Sequence, residues 1–324
     1  MAGNYIISVD MGGTKILASV INSREGIIAS LKRPTEVKKN KNTYIKSLAK
    51  IINDVVLEAK LKRSQVKAVC LGVPGSLNPV TGVIGLAPNL GLKNFAIKSK
   101  LQRLIPYPVL IENDVNLGAL GIKYFGVGKK AKNMLVVFIG TGIGGAIVIN
   151  GKLYRGSSYV AGEIGHIIAE EGGPKCGCGN NGCLEAIASR TAIVNKIIAE
   201  MKRTKSGILY SYIKSSEKIK SKAISNAIKS KDRIVIKHIT EACNKIGIAL
   251  ASLTNFMNFD TIVLGGGLIE AAGDFMLERI SSAMKSNVMN DAGKAVKIMN
   301  SKLGDDAAIY GGIALAEEFL GVRV

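Results

Sequence analysis

The apolar positions of the chain form short runs and helical repeats that alternate along the sequence. Short apolar runs bounded by glycine, proline or polar turns predict strands, and apolar positions that recur every three or four residues predict helices. The predicted strands cover residues 5–9, 16–21, 67–73, 109–111, 135–139, 146–149, 261–264 and 296–299. The predicted helices cover residues 43–59, 184–200, 234–256, 268–289 and 307–320, with another directly after residue 114. This alternation is typical of α/β architecture.

One pattern of strand, glycine turn and strand occurs twice. The strands at 5–9 and 16–21 are joined by a turn at Gly12-Gly13, and the strands at 135–139 and 146–149 are joined by the glycine-rich segment 140–145. Two copies of one plan predict two related lobes. The basic, serine-rich segment 203–231 has weak periodicity, so we expect a solvent-facing helical excursion or a long connection there.

The formal net charge of +20 lies mostly in segments 24–67 and 196–237. Such charge can attract nucleotides, nucleic acid or membranes, but solvated helix faces explain it without any partner, and we prefer that interpretation. Aromatic and basic residues are not interleaved and Trp is absent, so no nucleic-acid partner is expected. Because neither a signal peptide nor a membrane-spanning run is visible, we expect a cytoplasmic protein that binds no membrane.

A cluster of cysteines and one histidine predicts a metal site. Cys176, Cys178 and Cys183 follow His166 in a glycine-rich segment. One imidazole and three thiolates form a usual ligand set for structural zinc, and the glycines permit the tight turns that bring the sulfurs together. The alternative, a set of free thiols, would leave reactive sulfur on a loop. Four protein ligands leave no position for water, so we expect this zinc to be structural.

Two glycine turns carry the signals of phosphate binding. In the first, Gly12 and Gly13 can aim backbone N–H groups at a phosphate, while Thr14 adds a hydroxyl, Lys15 a charge and Asp10 a carboxylate that holds magnesium through water. An ordinary glycine hairpin is the alternative. The second turn, at 140–145, matches the spacing of a dinucleotide site, but a strand and not a helix is predicted to follow it, which favours another phosphate-binding hairpin.

Two further turns follow predicted strands. The segment Gly265-Gly266-Gly267 precedes a helix, and its small residues suit either a flat nucleotide base or merely a tight strand-to-helix turn. Asp114 is the candidate general base for phosphoryl transfer to an alcohol, and Asn113 and Asn89 offer amides to neighbouring hydroxyls. Helix capping is the alternative role for Asn113 and Asp114.

Taken together, these motifs resemble those of the ROK family (repressors, open reading frames, kinases). The resemblance rests on residues 10–15, 112–114, 139–145, 161–166 and 176–185, which occur in the family's order and cover nearly the whole chain. It implies an α/β, two-lobe, actin-like fold with duplicated β-sheet cores and the active site in a cleft. We expect one lobe to comprise residues 1–116 and 305–324, and the other residues 117–304 with the zinc loop 166–183.

The resemblance also implies an activity, namely transfer of phosphate from ATP with magnesium to a hexose. Homodimers or homotetramers are expected, and the segment 161–166 looks most like that of glucokinases. The implied base is Asp114; the implied sugar ligands are Asn89, Asn113, Asp114, Glu163, His166 and Glu185. The implied phosphate contacts are Gly12, Thr14, Lys15, Thr141 and Gly142, and the implied adenosine contacts are Gly266 and Gly267.

Several functions stay open at this point. N-acetylmannosamine, N-acetylglucosamine and fructose are alternative acceptors, and polyphosphate is an alternative donor. A sugar-responsive repressor of the family would carry an N-terminal DNA-binding domain, for which we expect no room because the first phosphate motif starts at Asp10. A non-catalytic sugar-binding protein would have lost a catalytic residue, and none is lost.

Overall fold

The computed structural model describes residues 4–35, 41–321 and 324. Strands and helices alternate through these residues, as expected for an α/β chain. The strands are β1 (Tyr5–Met11), β2 (Lys15–Asn22), β3 (Gly26–Pro34), β4 (Val66–Val73), β5 (Ser76–Asn78), β6 (Val83–Ala87), β7 (Leu92–Ala96), β8 (Val109–Asn113), β9 (Met134–Ile139), β10 (Ile143–Ile149), β11 (Lys152–Tyr154), β12 (Thr261–Gly265) and β13 (Lys297–Asn300).

The helices differ widely in length. The longest spans 25 residues and several have only five or six. They are α1 (Lys41–Glu58), α2 (Ile97–Gln102), α3 (Asp114–Phe125), α4 (Leu184–Ala188), α5 (Arg190–Thr204), α6 (Tyr210–Lys214), α7 (Ser221–Lys229), α8 (Arg233–Met257), α9 (Gly267–Lys285), α10 (Asn290–Ala295) and α11 (Asp306–Leu320). Among the residues described above, no helix combines the length and the apolar character needed to cross a membrane.

The chain divides into two compact units. Unit 1 comprises the described residues within 1–130, 153–161 and 305–324, and unit 2 comprises 131–152 and 162–304. The boundary expected at residue 116 falls inside α3, the whole of which belongs to unit 1.

Unit 1 is built on a five-stranded sheet with the order β3-β2-β1-β4-β8. Strands β1, β4 and β8 are parallel, whereas β2 is antiparallel to both β1 and β3. Alternate residues of β1 face opposite sides, so Ile7 and Val9 join the core that contains α1, while Ile6 joins the core that contains α3 and α11. The small sheet β5-β6-β7 belongs to the same unit.

Unit 2 repeats this plan. Its sheet has the order β11-β10-β9-β12-β13, with β10 antiparallel to β9 and with β9, β12 and β13 parallel. Strand for strand, this order matches that of the first sheet, which confirms the prediction of one plan used twice. A single apolar cluster joins β9 and β12 to helices α4, α5, α7, α8 and α9.

Several elements differ from the sequence predictions. Strands β3, β5, β6, β7 and β11 and helices α2 and α10 were not predicted. The helix predicted over 184–200 is interrupted at Ser189, whose hydroxyl caps α5 by accepting from Ala192 N.

The segment 203–231 is not the solvent-facing excursion that we expected. It forms α6 and α7, and most of its apolar residues lie in or against the core of unit 2, whereas Ile208 is exposed. Ile219 is 8% exposed and Ile224 is fully buried, while lysines occupy the outer face. The lysines dominate the composition of the segment and hide the apolar stripe beneath them.

The backbones of helices α3 and α11 of unit 1 are in direct contact, because each helix has a glycine where the two meet. A methyl group on Gly121 would overlap the Ala307 carbonyl oxygen, and a methyl group on Gly311 would overlap the Leu117 carbonyl oxygen.

We therefore predict that Gly311→Ala destabilises the protein by about 1–3 kcal/mol in urea unfolding, although alanine normally stabilises a helix relative to glycine. Gly267→Ala is the control, because its methyl group would meet no atom closer than 3.9 Å. Equal stability of both variants would contradict this packing.

Candidate functional site

The carboxyl ends of strands β1, β4 and β8 lie at one edge of the sheet of unit 1. Asp10 on β1 pairs in register with Gly72 on β4, and Gly72 pairs with Glu112 on β8. These strands are parallel, so their carboxyl ends share an edge. Asp114 follows β8 directly, and a methyl group on Gly72 would lie 3.6 Å from its Cα atom. The register therefore brings Asp10 and Asp114 together.

The electrostatics of this edge are dominated by crowded carboxylates. Burial and the nearby negative charges of Asp114 and Asp305 raise the pKa of Asp10 to about 7, although the Lys15 ammonium opposes the shift. Lys15 Nζ lies 2.5 Å from Asp305 Oδ2, and this contact is the main cause of the raised Lys15 pKa. A divalent cation at this edge would relieve the repulsion among the three carboxylates.

The turn between β1 and β2 is closed by its own backbone. Gly12 N donates to Lys15 O at 2.9 Å. Thr35, directly after β3, donates its backbone N–H to Thr14 O at 3.0 Å and its hydroxyl to Gly12 O at 2.7 Å. A methyl group on Gly13 would lie 3.3 Å from Asn89 Cβ, so Asn89 lies against the turn. The predicted phosphate turn and one predicted sugar ligand are therefore neighbours.

Asn113 and Asp114 occupy the start of α3. The Asn113 side-chain oxygen accepts from Val115 N and Asn116 N, and its amide nitrogen donates to Gly75 O at 3.1 Å. Asn113 is thus the helix cap that the sequence left as an alternative. Asp114 Oδ1 accepts from Val115 N at 2.9 Å, which fixes the side chain at the first helical position.

A buried ion pair lies behind this turn. Glu112 is 2% exposed, and its Oε2 atom accepts from Arg155 Nε at 2.6 Å while its Oε1 atom accepts from Asn113 N and Asn116 Nδ2. Arg155 also contacts Glu318 on α11 through both terminal nitrogens, at 2.9 and 3.2 Å. The pair ties the segment before Asp114 to two other parts of unit 1.

Unit 2 brings together the four predicted metal ligands. The ligand atoms of His166, Cys176, Cys178 and Cys183 all lie within 4.8 Å of one another. Cys178 Sγ lies 3.6 Å from Cys183 Sγ, and Cys176 Sγ lies 3.7 Å from His166 Nδ1. Zinc–sulfur bonds of about 2.3 Å in a tetrahedron would separate the sulfurs by about 3.8 Å, so the cluster fits a four-coordinate metal.

Tight turns hold these ligands in place. Cys176 N donates to Asn180 O at 2.8 Å, and Gly179 N donates to Cys176 O at 3.0 Å, which forms a compact knuckle. Gly182 has a φ of 74°, and a methyl group there would overlap the Glu170 carbonyl oxygen. Glu170 is itself paired with Lys245 of α8 at 2.9 Å. The loop is thereby fixed to the longest helix of the unit.

Of the predicted sugar ligands of unit 2, His166 belongs to this four-residue cluster, and Glu163 and Glu185 lie beside it. The Nδ1 atom of His166 faces Cys176, whereas its Nε2 atom lies 3.8 Å from Glu163 Oε2. Burial raises the pKa of Glu163, His166 lowers it, and the Glu185 carboxylate raises it further. Glu185 contacts two parts of unit 2. Its Oε1 atom lies 3.9 Å from Cys176 Sγ, and its Oε2 atom accepts from Ile143 N at 2.9 Å. Glu185 therefore links the predicted metal ligands to the glycine turn at 140–142.

The two remaining glycine turns lie side by side in unit 2. Gly265 of β12 pairs with Phe138 of β9, and a methyl group on Gly266 would collide with the backbone of Ile139. Gly266 has a φ of 87°, which glycine adopts without strain. Strand β10 and not a helix follows the turn at 140–142, so the dinucleotide alternative lacks the helix N-terminus that it requires.

The comparison with known families decides the relationship. A model described as the ROK family matches residues 6–319. This chain belongs to the ROK family. The resemblance predicted from the motifs is thus confirmed, and so is the actin-like α/β fold class, because the solved structures that the chain matches include a ROK hexokinase and a ROK family glucokinase of that fold.

Three relatives illustrate the range of the ROK family. The glucokinase of Halalkalibacterium halodurans is 32% identical over 96% of this chain and 94% of its own length. The xylose repressor of Caldicellulosiruptor bescii is 31% identical over 96% of this chain and 77% of its own. A crystal structure of a ROK family glucokinase from Streptomyces griseus, in complex with glucose and AMPPNP, superposes with a TM-score of 0.84 at 28% identity, covering 97% of this chain and 100% of that one.

Two residues that contact the site in unit 1 were missed by sequence reasoning. Asp305 reaches Lys15 from a position 290 residues away, and Arg155 reaches Glu112 across 43 residues. Only the acidic pair Asp305-Asp306 before a predicted helix hinted at the first, and no local pattern marked the second.

Removing Arg155 tests the buried ion pair. We predict that Arg155→Met lowers the free energy of unfolding by about 3–5 kcal/mol, because it leaves the Glu112 carboxylate buried without its cation. The double variant with Glu112→Gln should recover part of that loss. Lys294→Met is the control, since its pair with Asp291 is exposed and should contribute less than about 1 kcal/mol. Urea unfolding of the four proteins provides the comparison; a single Arg155 variant as stable as the parent would refute the role of the pair.

Proposed function

We propose that the chain is an ATP-dependent sugar kinase with glucose as its favoured acceptor. The observation that carries this proposal is the pair of carboxylates in unit 1, where Asp114 lies close enough to raise the pKa of Asp10 beside a turn of backbone N–H groups. Phosphoryl transfer to an alcohol uses a carboxylate to accept the proton, together with groups that hold phosphates and their metal. The relationship to glucokinases supports the same reaction.

In the proposed reaction one P–O bond replaces another and one proton moves. The sugar 6-hydroxyl oxygen bonds to the γ-phosphorus, while the bond from that phosphorus to the β–γ bridging oxygen breaks and ADP leaves with the electron pair. Asp114 aims the hydroxyl and accepts its proton. The backbone N–H groups of Gly13 and Thr14 stabilise charge on the transferring group, while the N–H group of Gly12 closes the turn on Lys15 O. Lys15 would exchange its partner Asp305 for phosphate oxygens.

Magnesium fits the carboxylate edge of unit 1. Asp10 would hold the cation through water, with Asp114 and Asp305 near it, and the repulsion that raises the Asp10 pKa would be relieved. When bound, magnesium supplies positive charge to the phosphates of the nucleotide.

Unit 2 would supply the other ligands. We assign zinc to the four-residue cluster, because the spacing of the sulfurs and the ligand set both suit it. His166 would bind zinc through Nδ1 and present Nε2, beside Glu163, to sugar hydroxyls. In the same scheme Glu185, Asn89 and Asn113 are sugar ligands, whereas Thr141 and Gly142 contact phosphate and Gly266 and Gly267 contact adenosine.

The identity of the sugar rests on the segment 161–166 and on the relatives. That segment resembles those of glucokinases, and glucokinases from several bacteria are similar over nearly the whole chain. N-acetylmannosamine, N-acetylglucosamine and fructose stay the alternative acceptors, and polyphosphate stays the alternative donor.

A sugar-responsive regulator is the second candidate function. The observation in its favour is the 31% identity to a xylose repressor. A regulator needs sugar binding but not a catalytic base, whereas this chain has Asp114 at the end of β8 beside Asp10. Sugar-dependent turnover of ATP is the property that separates the two candidates.

Replacement of the proposed base tests the kinase mechanism. We predict that Asp114→Asn lowers kcat by at least ~100-fold, because an amide cannot accept the hydroxyl proton. Sugar affinity, measured by calorimetry, should stay close to that of the parent, because the amide keeps the size of the carboxylate and can still bond a hydroxyl.

Asp306→Asn is the matched control for this experiment. Asp306 begins α11 as Asp114 begins α3, and it is exposed. The control should retain the parent's kcat. An Asp114 variant with near-normal turnover would contradict the assignment of the base.

Removal of zinc tests the role of the metal loop. We predict one zinc ion per chain by elemental analysis, and loss of both zinc and sugar binding in Cys178→Ser, while far-UV circular dichroism stays unchanged because the two sheets do not depend on the loop. Cys243→Ala, which removes a thiol from the core of unit 2, should keep its zinc. A zinc-free protein with unaltered sugar affinity would refute the role.

A further inference from the structure

Arg190 lies where the two glycine turns of unit 2 come together. It is the first residue of α5, directly after the capping residue Ser189. Its Nη2 atom donates to Thr141 Oγ1 at 2.8 Å, and its Nη1 atom donates to Ser221 Oγ at 3.4 Å. The guanidinium therefore bridges the turn at 140–142 and the start of α7.

The turn at 140–142 is fixed to this end of α5 by two more bonds. Arg190 N donates to Gly140 O at 2.9 Å, and Thr191 Oγ1 donates to Thr141 O at 2.7 Å. The Thr141 hydroxyl accepts from Arg190, and a hydroxyl that accepts one bond still has its own proton to donate. A ligand oxygen at this turn would thus meet both the Thr141 hydroxyl and the Arg190 guanidinium.

Ser221 connects Arg190 to the other glycine turn. A methyl group on Gly267 would lie 3.9 Å from Ser221 Oγ, which makes Ser221 the neighbour of the proposed adenosine segment. Helix α7 is held there because Ser225 Oγ donates to Ala271 O of α9 at 2.5 Å. The basic segment 203–231, which contains α7, thus supplies one side of the space beside the two glycine turns of unit 2.

The charge of Arg190 is not neutralised within the described part of the chain. Its side-chain partners among the described residues are two hydroxyl groups, and no carboxylate among these residues lies within 4.0 Å of it. The side chain is half-buried, and it has five N–H donors, of which these contacts use two. A guanidinium of this kind suits phosphate, whose oxygens match its planar fork.

We propose that Arg190 binds the phosphate groups of the nucleotide, together with Thr141, and that α7 positions it through Ser221. This inference rests on the proposed kinase function, since it assigns a further phosphate-binding residue to the same nucleotide. The partner is a nucleoside polyphosphate and not the sugar, because Arg190 contacts the glycine turn at 140–142 directly and reaches the proposed adenosine segment through Ser221.

Binding of nucleotides with and without phosphates tests the inference. The affinities of AMPPNP with magnesium and of adenosine are measured by calorimetry for the parent, Arg190→Gln and Arg190→Lys. Loss of a charge-assisted bond should weaken AMPPNP binding about 10- to 100-fold in Arg190→Gln and less in Arg190→Lys, with adenosine affinity unchanged. In turnover, the KM for ATP should rise while the KM for the sugar does not.

Lys222→Gln is the matched control. Lys222 is exposed and follows Ser221 directly, so its replacement removes the same charge from the same region without the contact to Thr141. It should retain the parent's affinity for AMPPNP. Arg190→Gln with parental AMPPNP affinity would overturn the inference, and so would equal weakening of adenosine and AMPPNP, which indicates a structural brace. A parent protein that binds no AMPPNP would instead contradict the proposed function itself.

Discussion

The parallel register of three strands determines which groups of unit 1 can act together. Asp10, Gly72 and Glu112 stand side by side across β1, β4 and β8. Each strand therefore ends at the same edge, and the residues that follow face a common space. Gly72 permits α3 to begin close to the sheet, and the buried pair of Glu112 with Arg155 holds the segment from which Asp114 projects. The crowded carboxylates and the raised pKa of Asp10 follow from this register.

Unit 2 uses the same sheet order for other chemistry. Its strands β9 and β12 end in glycine turns, and the residues of the predicted metal site are joined to the first of these turns through Glu185 and Ile143. Because Glu185 also lies 3.9 Å from Cys176, the metal cluster and the turn at 140–142 share a carboxylate. A metal bound by these four residues would thus be linked to the proposed phosphate contacts through a single side chain.

Much of this arrangement could be predicted from local sequence. Strands that end in Gly-Gly or Asn-Asp, and cysteines spaced for a knuckle, carry their signals within a few residues. The contacts of Arg155 and Arg190 could not be predicted from local sequence. Arg155 lies 43 residues from Glu112, and Arg190 lies 49 residues from Thr141 and 31 from Ser221. In the sequence, both arginines resemble ordinary surface cations. Strand β3 was missed because it is half-exposed, and α7 because its lysines mask the stripe around Ile224.

Release of ADP from ATP and magnesium, in the presence of single sugars, tests the central claim most directly. The sugars are glucose, mannose, fructose, allose, N-acetylglucosamine and N-acetylmannosamine. A sugar kinase should release ADP far faster with one of them than with ATP alone, and we predict that this sugar is glucose. Release of ADP that no sugar accelerates, from a protein that binds both AMPPNP and a sugar, would contradict the account and favour the regulator.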